Sequence, residues 1–221
     1  MFATNALINF GTDTLPNLSN GEAMFAYTEI SSFTTNMPKL SNAREMFMST
    51  PNLVHFDSDL SNLKTGWKMF GEGATAKAKL SQFSIEKIAS KIKNISGLNK
   101  SDDSQWKYDT VDTYGTVKPD AGTIGYDYRG VLHIPCYTDV ASLASSAFNT
   151  IVNKGWTLYV NDTLYTPGST VEPDNPDEIV SEFDITEYSN YIPDASTFHG
   201  TTAGTEGLAD FVKDGYMWTN N

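Results

Sequence analysis

Residues 24–47 read MFAYTEISSFTTNMPKLSNAREMF, and this stretch holds one full copy of the pattern that decides the fold. It begins at the Met-Phe pair Met24-Phe25 and ends at the next pair, Met46-Phe47. Further pairs stand at Met1-Phe2 and Met69-Phe70, so the four pairs recur at nearly equal intervals. A fixed period of about 22 residues is the sequence signature of a repeat architecture.

Two further markers keep the same phase. Phenylalanine recurs in step with the pairs, with a longer last interval, at Phe10, Phe33, Phe56 and Phe83. A leucine with polar neighbours recurs in PNLSN (16–20), PKLSN (38–42) and DLSNL (59–63). Three markers in one phase indicate a repeating structural unit.

A unit of this length is too short to bury its own apolar face, so it must stack on its neighbours. Stacking places phenylalanine on phenylalanine, and the Phe and Met markers are therefore predicted to form the core. Short strands are predicted at Ile30–Thr34 and Leu53–Asp57, with Phe33 pointing inward. The Met-Phe pair is predicted to lie on the return turn.

Side chains alternate along a strand, so the neighbours of the inward phenylalanines are predicted to point outward. Together they would form a polar binding face, as is usual for stacked repeats. The predicted face consists of Asn9, Ser32, Thr34, His55, Asp57 and Gln82.

The combined pattern of Leu-x-x-Phe, Leu-Ser-Asn and Met-Phe resembles the BspA-like leucine-rich repeats. The resemblance covers residues 1–94 directly, and the unit up to residue 160 resembles the one that often follows such repeats in phage-associated proteins. The family usually carries a Cys- or Asn-containing turn near the Met-Phe pair, where this chain has Tyr27-Thr28 and Ser49-Thr50.

The resemblance implies a short α/β-type solenoid, with a strand and a turn or helix in each repeat, used for adhesion or assembly. Such repeats occur in bacterial surface proteins and in proteins of bacteriophages, particularly those of gut Bacteroidetes. It implies no catalytic residues, so we expect a protein that is not an enzyme and needs no cofactor.

Residues 95–160 are predicted to close the solenoid as a strand–helix–strand unit. A helix is predicted just before it at Ser84–Lys93, with Ser84 as its cap. Residues 97–130 are predicted to form an irregular insertion or a hairpin. Then follow a strand at Val131–Ile134, a helix from Asp139 to Lys154 and a closing strand at Trp156–Val160.

Residues 161–221 are predicted to form an irregular, acidic C-terminal arm. They hold one Lys against twelve Asp and Glu, which accounts for most of the chain's net charge of −12. The arm is either a loosely packed appendage or an assembly arm, and for an assembly arm we expect a basic neighbouring subunit beside it. The in-phase first repeat has no cap before Met1, so either another chain covers the N-terminal solenoid end or the sequence is a fragment of a longer protein; we expect the first.

Composition excludes several classes of function. An excess of acidic residues disfavours nucleic acid and anionic membranes as partners. No run of about 18 apolar residues is present, and the first residues lack a signal-peptide pattern. A single cysteine, Cys136, rules out an intrachain disulfide and is predicted to be buried. No metal site is expected, and the acidic residues Asp174, Asp177 and Glu178 are interpreted as a solvated loop.

Three functions remain open at this point. The favoured one is a non-enzymatic bacteriophage protein of a tail fibre, head fibre or capsid surface, assembled into the virion in the host cytoplasm. Its partners would be other virion proteins or a host receptor or glycan, in a homo-oligomer or larger assembly. The alternatives are a bacterial cell-surface adhesin with the same repeats, located outside the cell, and a carbohydrate-binding module or polysaccharide-acting enzyme. The last would use Trp106, Tyr108, Tyr114, Tyr126 and Tyr128.

Overall fold

The computed structural model describes residue 10 and residues 13–71 and 76–168. All of them belong to the first of two compact units of the chain, Met1–Asp174. They form a mixed α/β structure with small sheets and few helices. In chain order the elements are β1 (Ser32–Phe33), β2 (His55–Phe56), α1 (Gln82–Lys91), β3 (Lys107–Val111), β4 (Val117–Thr123), β5 (Val131–Ile134), α2 (Thr138–Leu143), α3 (Ser145–Asn153), β6 (Thr157–Val160) and β7 (Thr163–Leu164).

Residues one period apart lie side by side in residues 13–71, which we call the repeat segment. Strands β1 and β2 pair in parallel with Ser32 opposite His55, although each strand is very short. Isolated parallel bridges join Thr14 to Asn36, Asn20 to Asn42 and Asn42 to Thr65. Backbone segments that are one sequence period apart are therefore neighbours in the structure and pair in register.

Phenylalanine rings fill the interior of the repeat segment in two columns. Rings within a column stack with centroids 5.4–6.1 Å apart, and rings of different columns meet at 4.8–5.9 Å. The first column is Phe10, Phe33 and Phe56, and the second is Phe25, Phe47 and Phe70. Except for the half-buried Phe10, all are buried, so the predicted phenylalanine core is confirmed at these positions.

Each Met-Phe pair of the repeat segment lies on a turn, as predicted, and left-handed residues flank it. The residue before each pair, Ala23, Glu45 or Lys68, has φ of 51°, 55° or 52°. The second residue after each of the first two pairs, Tyr27 or Ser49, has φ of 58° or 55°, and Gly71, directly after the third pair, has φ of 103°. Only Gly71 adopts this conformation without a side chain to oppose it.

The third leucine marker was placed in the wrong register by the sequence. Thr65 pairs with Asn42, so the residues that continue Leu40-Ser41-Asn42 are Leu63-Lys64-Thr65. The Leu63 N–H donates to the Leu60 carbonyl as the Leu40 N–H donates to Met37, so Leu60 occupies the Met37 position. A local Leu-Ser-Asn match that is out of step with the backbone produced the error.

Phe83 does not extend the first phenylalanine column, because helix α1 takes the place of a third strand. Its ring is 53% exposed on the surface of α1. The cap of this helix is Ser81, whose side chain accepts from the Ser84 N–H, so the predicted cap at Ser84 is wrong. Instead the buried Ser84 hydroxyl accepts from the Phe56 N–H at 2.8 Å and donates to the Val54 carbonyl at 2.9 Å.

The sheet of β5, β6 and β7 lies beside the last repeat and continues its parallel register. Gly66 bridges to Leu132 of β5, and β5 pairs in parallel with β6. Strand β7 then turns back antiparallel through Asn161 and Asp162, whose positive φ values of 48° and 63° suit a two-residue hairpin. Residues 161–165, predicted to start the arm, thus belong to this sheet or contact it.

The predicted helix from Asp139 to Lys154 is two helices, α2 and α3, interrupted at Ala144. Asp139 lies in the first turn of α2 and is not its cap. Cys136 is buried as predicted, and its N–H donates to the Asn161 side chain. The predicted strands at residues 131–134 and 156–160 are confirmed.

Residues 107–123 form an antiparallel hairpin, β3–β4, fixed to the repeat segment at its base. The Lys64 ammonium donates to the Lys107 carbonyl at 2.6 Å, and the Asp109 N–H donates to the Ser19 hydroxyl at 3.0 Å. The hairpin therefore crosses the repeats on the side of the polar-flanked leucines.

Candidate binding faces

The predicted outward face forms in part on strands β1 and β2. Ser32, Thr34 and His55 are all exposed, and the parallel register puts Ser32 directly beside His55. These three side chains form a small polar strip, which we call the strand face. Their exposure follows from the alternation that buries Phe33 and Phe56.

Two other predicted members are occupied by contacts within the protein. Asp57 is half-buried and forms an ion pair with Lys91 of α1. Gln82 opens α1, and its side-chain amide donates to the Glu86 carboxylate at 2.8 Å. Asn9 lies outside the described residues. Helix α1 thus limits the strand face to the two repeats before it.

A second line of polar and aromatic side chains was missed by sequence reasoning. It runs through Glu22, Arg44, Trp67, His133 and Tyr159, one from each neighbouring backbone of the parallel register. Neighbours in such a register are about 4.8 Å apart. We call this line the aromatic ridge. Its signal was present in the sequence, because the first three members recur at the period of the repeat.

Local turns align the first members of the aromatic ridge. The side-chain oxygens of Asn20, Asn42 and Thr65 each accept the backbone N–H two positions later, at 3.1, 3.1 and 3.3 Å. Those N–H groups belong to Glu22, Arg44 and Trp67. Because Asn and Thr form such turns locally, each unit presents its next side chain in the same direction.

Contacts along the aromatic ridge are continuous. Arg44 bonds Glu22 at 2.6 Å, and its guanidinium lies 5.8 Å from the Trp67 ring and 5.1 Å from the Tyr128 ring. The Trp67 and Tyr128 rings are 4.6 Å apart, and the Lys68 ammonium lies 4.3 Å from the Trp67 ring.

The C-terminal half of the ridge is a stack of rings. The imidazole of His133 stacks on Tyr159 at 4.7 Å and meets Trp67 edge-on at 6.4 Å. The pKa of His133 is lowered to about 4, chiefly by burial; nearby Asp162 opposes the shift and Lys68 adds to it. Because these rings cover one another, the ridge offers little open ring face for a sugar to stack on.

The aromatic residues predicted for carbohydrate contact differ widely in exposure. Trp106 is buried and donates its indole N–H to the Asn99 carbonyl, so its ring is not accessible to a ligand. Tyr108 and Tyr128 are half-buried. Tyr126 is 58% exposed and Tyr114, at the hairpin tip, is 93% exposed.

Among the described residues, no three His, Cys, Asp or Glu side chains are grouped so that they could hold a metal ion. None of the helices found there has the length and apolar character of a membrane span. Asp174, Asp177 and Glu178 lie outside the described residues.

Comparison with protein-family models, with curated proteins and with solved structures finds no match to this chain.

Proposed function

We propose that the repeat segment is part of a short BspA-like leucine-rich-repeat solenoid, closed by the sheet of β5, β6 and β7. The observation that supports it is the parallel register of residues one period apart, with two phenylalanine columns inside it. A core built by repetition leaves the outward positions free to vary, which is why solenoids serve as binding scaffolds.

On this basis the protein is a non-enzymatic structural or receptor-binding component of a bacteriophage virion, in a tail fibre, a head fibre or the capsid surface. The strand face contacts protein or glycan, and the N-terminal end of the solenoid and the acidic arm contact neighbouring virion proteins. Neither nucleic acid nor membrane is its partner. Symmetric repetition in virions makes a homo-oligomer the expected state.

Mass spectrometry of purified virions from a source carrying this gene tests the proposal. Peptides of this chain are expected in the particles at a stoichiometry set by the virion's symmetry. Their absence from intact particles would contradict the virion function. In that case the adhesin remains, and surface proteolysis of the bacterium that carries the gene should release fragments of the chain.

The strand face is tested by changing Ser32 and His55 to Ala together, leaving the Asp57–Lys91 ion pair intact. Binding of the labelled, purified chain to host bacteria is expected to fall at least tenfold with an unchanged circular dichroism spectrum. The matched control is Thr113→Ala, an exposed hydroxyl on the β3–β4 hairpin, which should bind like the parent. Equal binding by the parent, the double variant and the control would exclude the strand face as the binding site.

A further inference from the structure

His133 lies at the point where the repeat segment meets the C-terminal sheet. Gly66 of the last repeat bridges to Leu132, and the Gly66 N–H donates to the Val131 carbonyl at 2.8 Å. The His133 N–H donates back to the Gly66 carbonyl at 3.4 Å. We call this contact between Gly66 and residues 131–133 the seam.

The imidazole of His133 lies between two aromatic rings, one from each side of the seam. Trp67 comes from the repeat segment and Tyr159 from β6, and His133 itself is only 6% exposed. A neutral ring suits this position because it packs on aromatic faces. An imidazolium there would lose most of its hydration, which carries a free-energy cost for a charged group.

The charged groups around His133 come from both sides of the seam. Lys68 disfavours the imidazolium, and Asp162 in the β6–β7 turn favours it. Asp162 is itself paired with Lys77 at 2.8 Å, while Arg44, beyond Trp67, is paired with Glu22. Burial is the largest influence on the protonation of His133.

We propose that His133 is an acid-sensitive joint, whose protonation loosens the seam between the repeat segment and the C-terminal sheet. Opening the seam admits water to the ring, and a solvated imidazole takes up a proton from solvent readily. In the closed seam the same ring stays neutral. Acid therefore favours the opened form.

The sign and size of the effect follow from linkage. A solvated histidine has a pKa of about 6.5, while burial lowers the pKa of His133 in the closed form to about 4. Between these values the open form binds a proton that the closed form does not, so opening grows as the pH falls. The opening equilibrium should rise on the order of 50-fold between pH 7 and pH 4.5.

Hydrogen exchange on the full chain measures the opening directly. The reporters are the amides of Gly66 and His133 in the seam, with the Phe47 amide, bonded to the Met69 carbonyl, as a reference inside the repeat segment. After correction for intrinsic exchange rates, seam protection should fall about 50-fold from pH 7 to pH 4.5. Phe47 should retain its protection.

The variant His133→Phe keeps a planar ring that cannot be protonated. Its seam protection should change less than threefold over the same pH range, whereas the matched control His55→Phe, on the exposed strand face, should behave like the parent. An equal pH response in the parent and in His133→Phe would overturn the proposal. So would a loss of protection at Phe47 that equals the loss at the seam, because it would mean global unfolding.

A second measurement does not depend on how the variant folds. The ring proton of His133 in the parent chain, followed by NMR through an acid titration, should report a pKa near 4. A value at or above 6.5 would overturn the proposal, because the closed seam would then favour the charged ring.

Discussion

The repeat segment and the C-terminal sheet share one parallel register, but the chain connects successive parallel backbones differently in the two regions. In the repeat segment the chain comes back after one period through turns with left-handed residues, and phenylalanine rings fill the interior. From Leu132 to its partner Leu158 the return is longer and passes through α2 and α3. The shared register sets the spacing of the backbones, while the return route determines which side chains form the core.

The largest expected effect contrasts two phenylalanines in the same sequence phase. Phe33→Ala should lower the free energy of unfolding by about 3–5 kcal/mol, because a buried ring in contact with four others is lost. Phe83→Ala should cost less than about 1 kcal/mol, because that ring is half exposed on α1. Urea denaturation compares the two, and equal costs would contradict the assignment of the columns.

Two glycines outside the repeat segment provide the next contrast. Gly155→Ala should destabilise by about 2–4 kcal/mol, because φ is +92° and a Cβ would lie 2.6 Å from the Ser96 backbone. Gly115→Ala, at the hairpin tip with φ +82° and open space, should cost only about 1 kcal/mol. Thermal unfolding of both variants measures the difference, and a smaller loss for Gly155→Ala would refute the close approach.

Ser84 tests how the repeat register ends at α1. Ser84→Ala should cost about 1–3 kcal/mol, since the Phe56 N–H and the Val54 carbonyl lose their hydroxyl partner. The matched control is Ser90→Ala, whose exposed hydroxyl bonds a carbonyl of its own helix, and it should be close to neutral. If the two substitutions lower the free energy of unfolding equally in denaturant titrations, the Ser84 hydroxyl does not stabilise the edge of β2.

The smallest expected effect is a gain. Ser49→Gly should stabilise by about 0.5–1 kcal/mol, because its φ of 55° disfavours a side chain. Ser31→Gly, in the preceding repeat and without a positive φ, should instead lose about 0.5–1 kcal/mol. The melting temperature is expected to rise for Ser49→Gly and to fall for Ser31→Gly. A lower melting temperature for both variants would contradict the strain argument.

Sequence reasoning located the repeats well because their signal is periodic and their core is made of identical residues. It failed at Leu60 and at Phe83, where a local match continued the pattern although the backbone did not. It also missed the aromatic ridge. Glu22, Arg44 and Trp67 share a position but no chemistry, and His133 and Tyr159 join them only through the pairing of β5 with Gly66.

The strand face shows the same limit at the level of single residues. Alternation along the strands was enough to predict that Ser32 and His55 are exposed. It could not predict that Lys91, far along the chain, would pair with Asp57, because that contact depends on where α1 packs.

By itself the sequence determined the period of the repeat, the residues that become the phenylalanine columns and the outward direction of their neighbours. These features follow from local alternation and from a spacing that recurs along the chain. Only the tertiary structure decided where the repeats stop, which helix covers the last of them, and that His133 is enclosed between Trp67 and Tyr159. Those outcomes depend on contacts between distant residues, whose free energies arise only when the parts of the chain pack together.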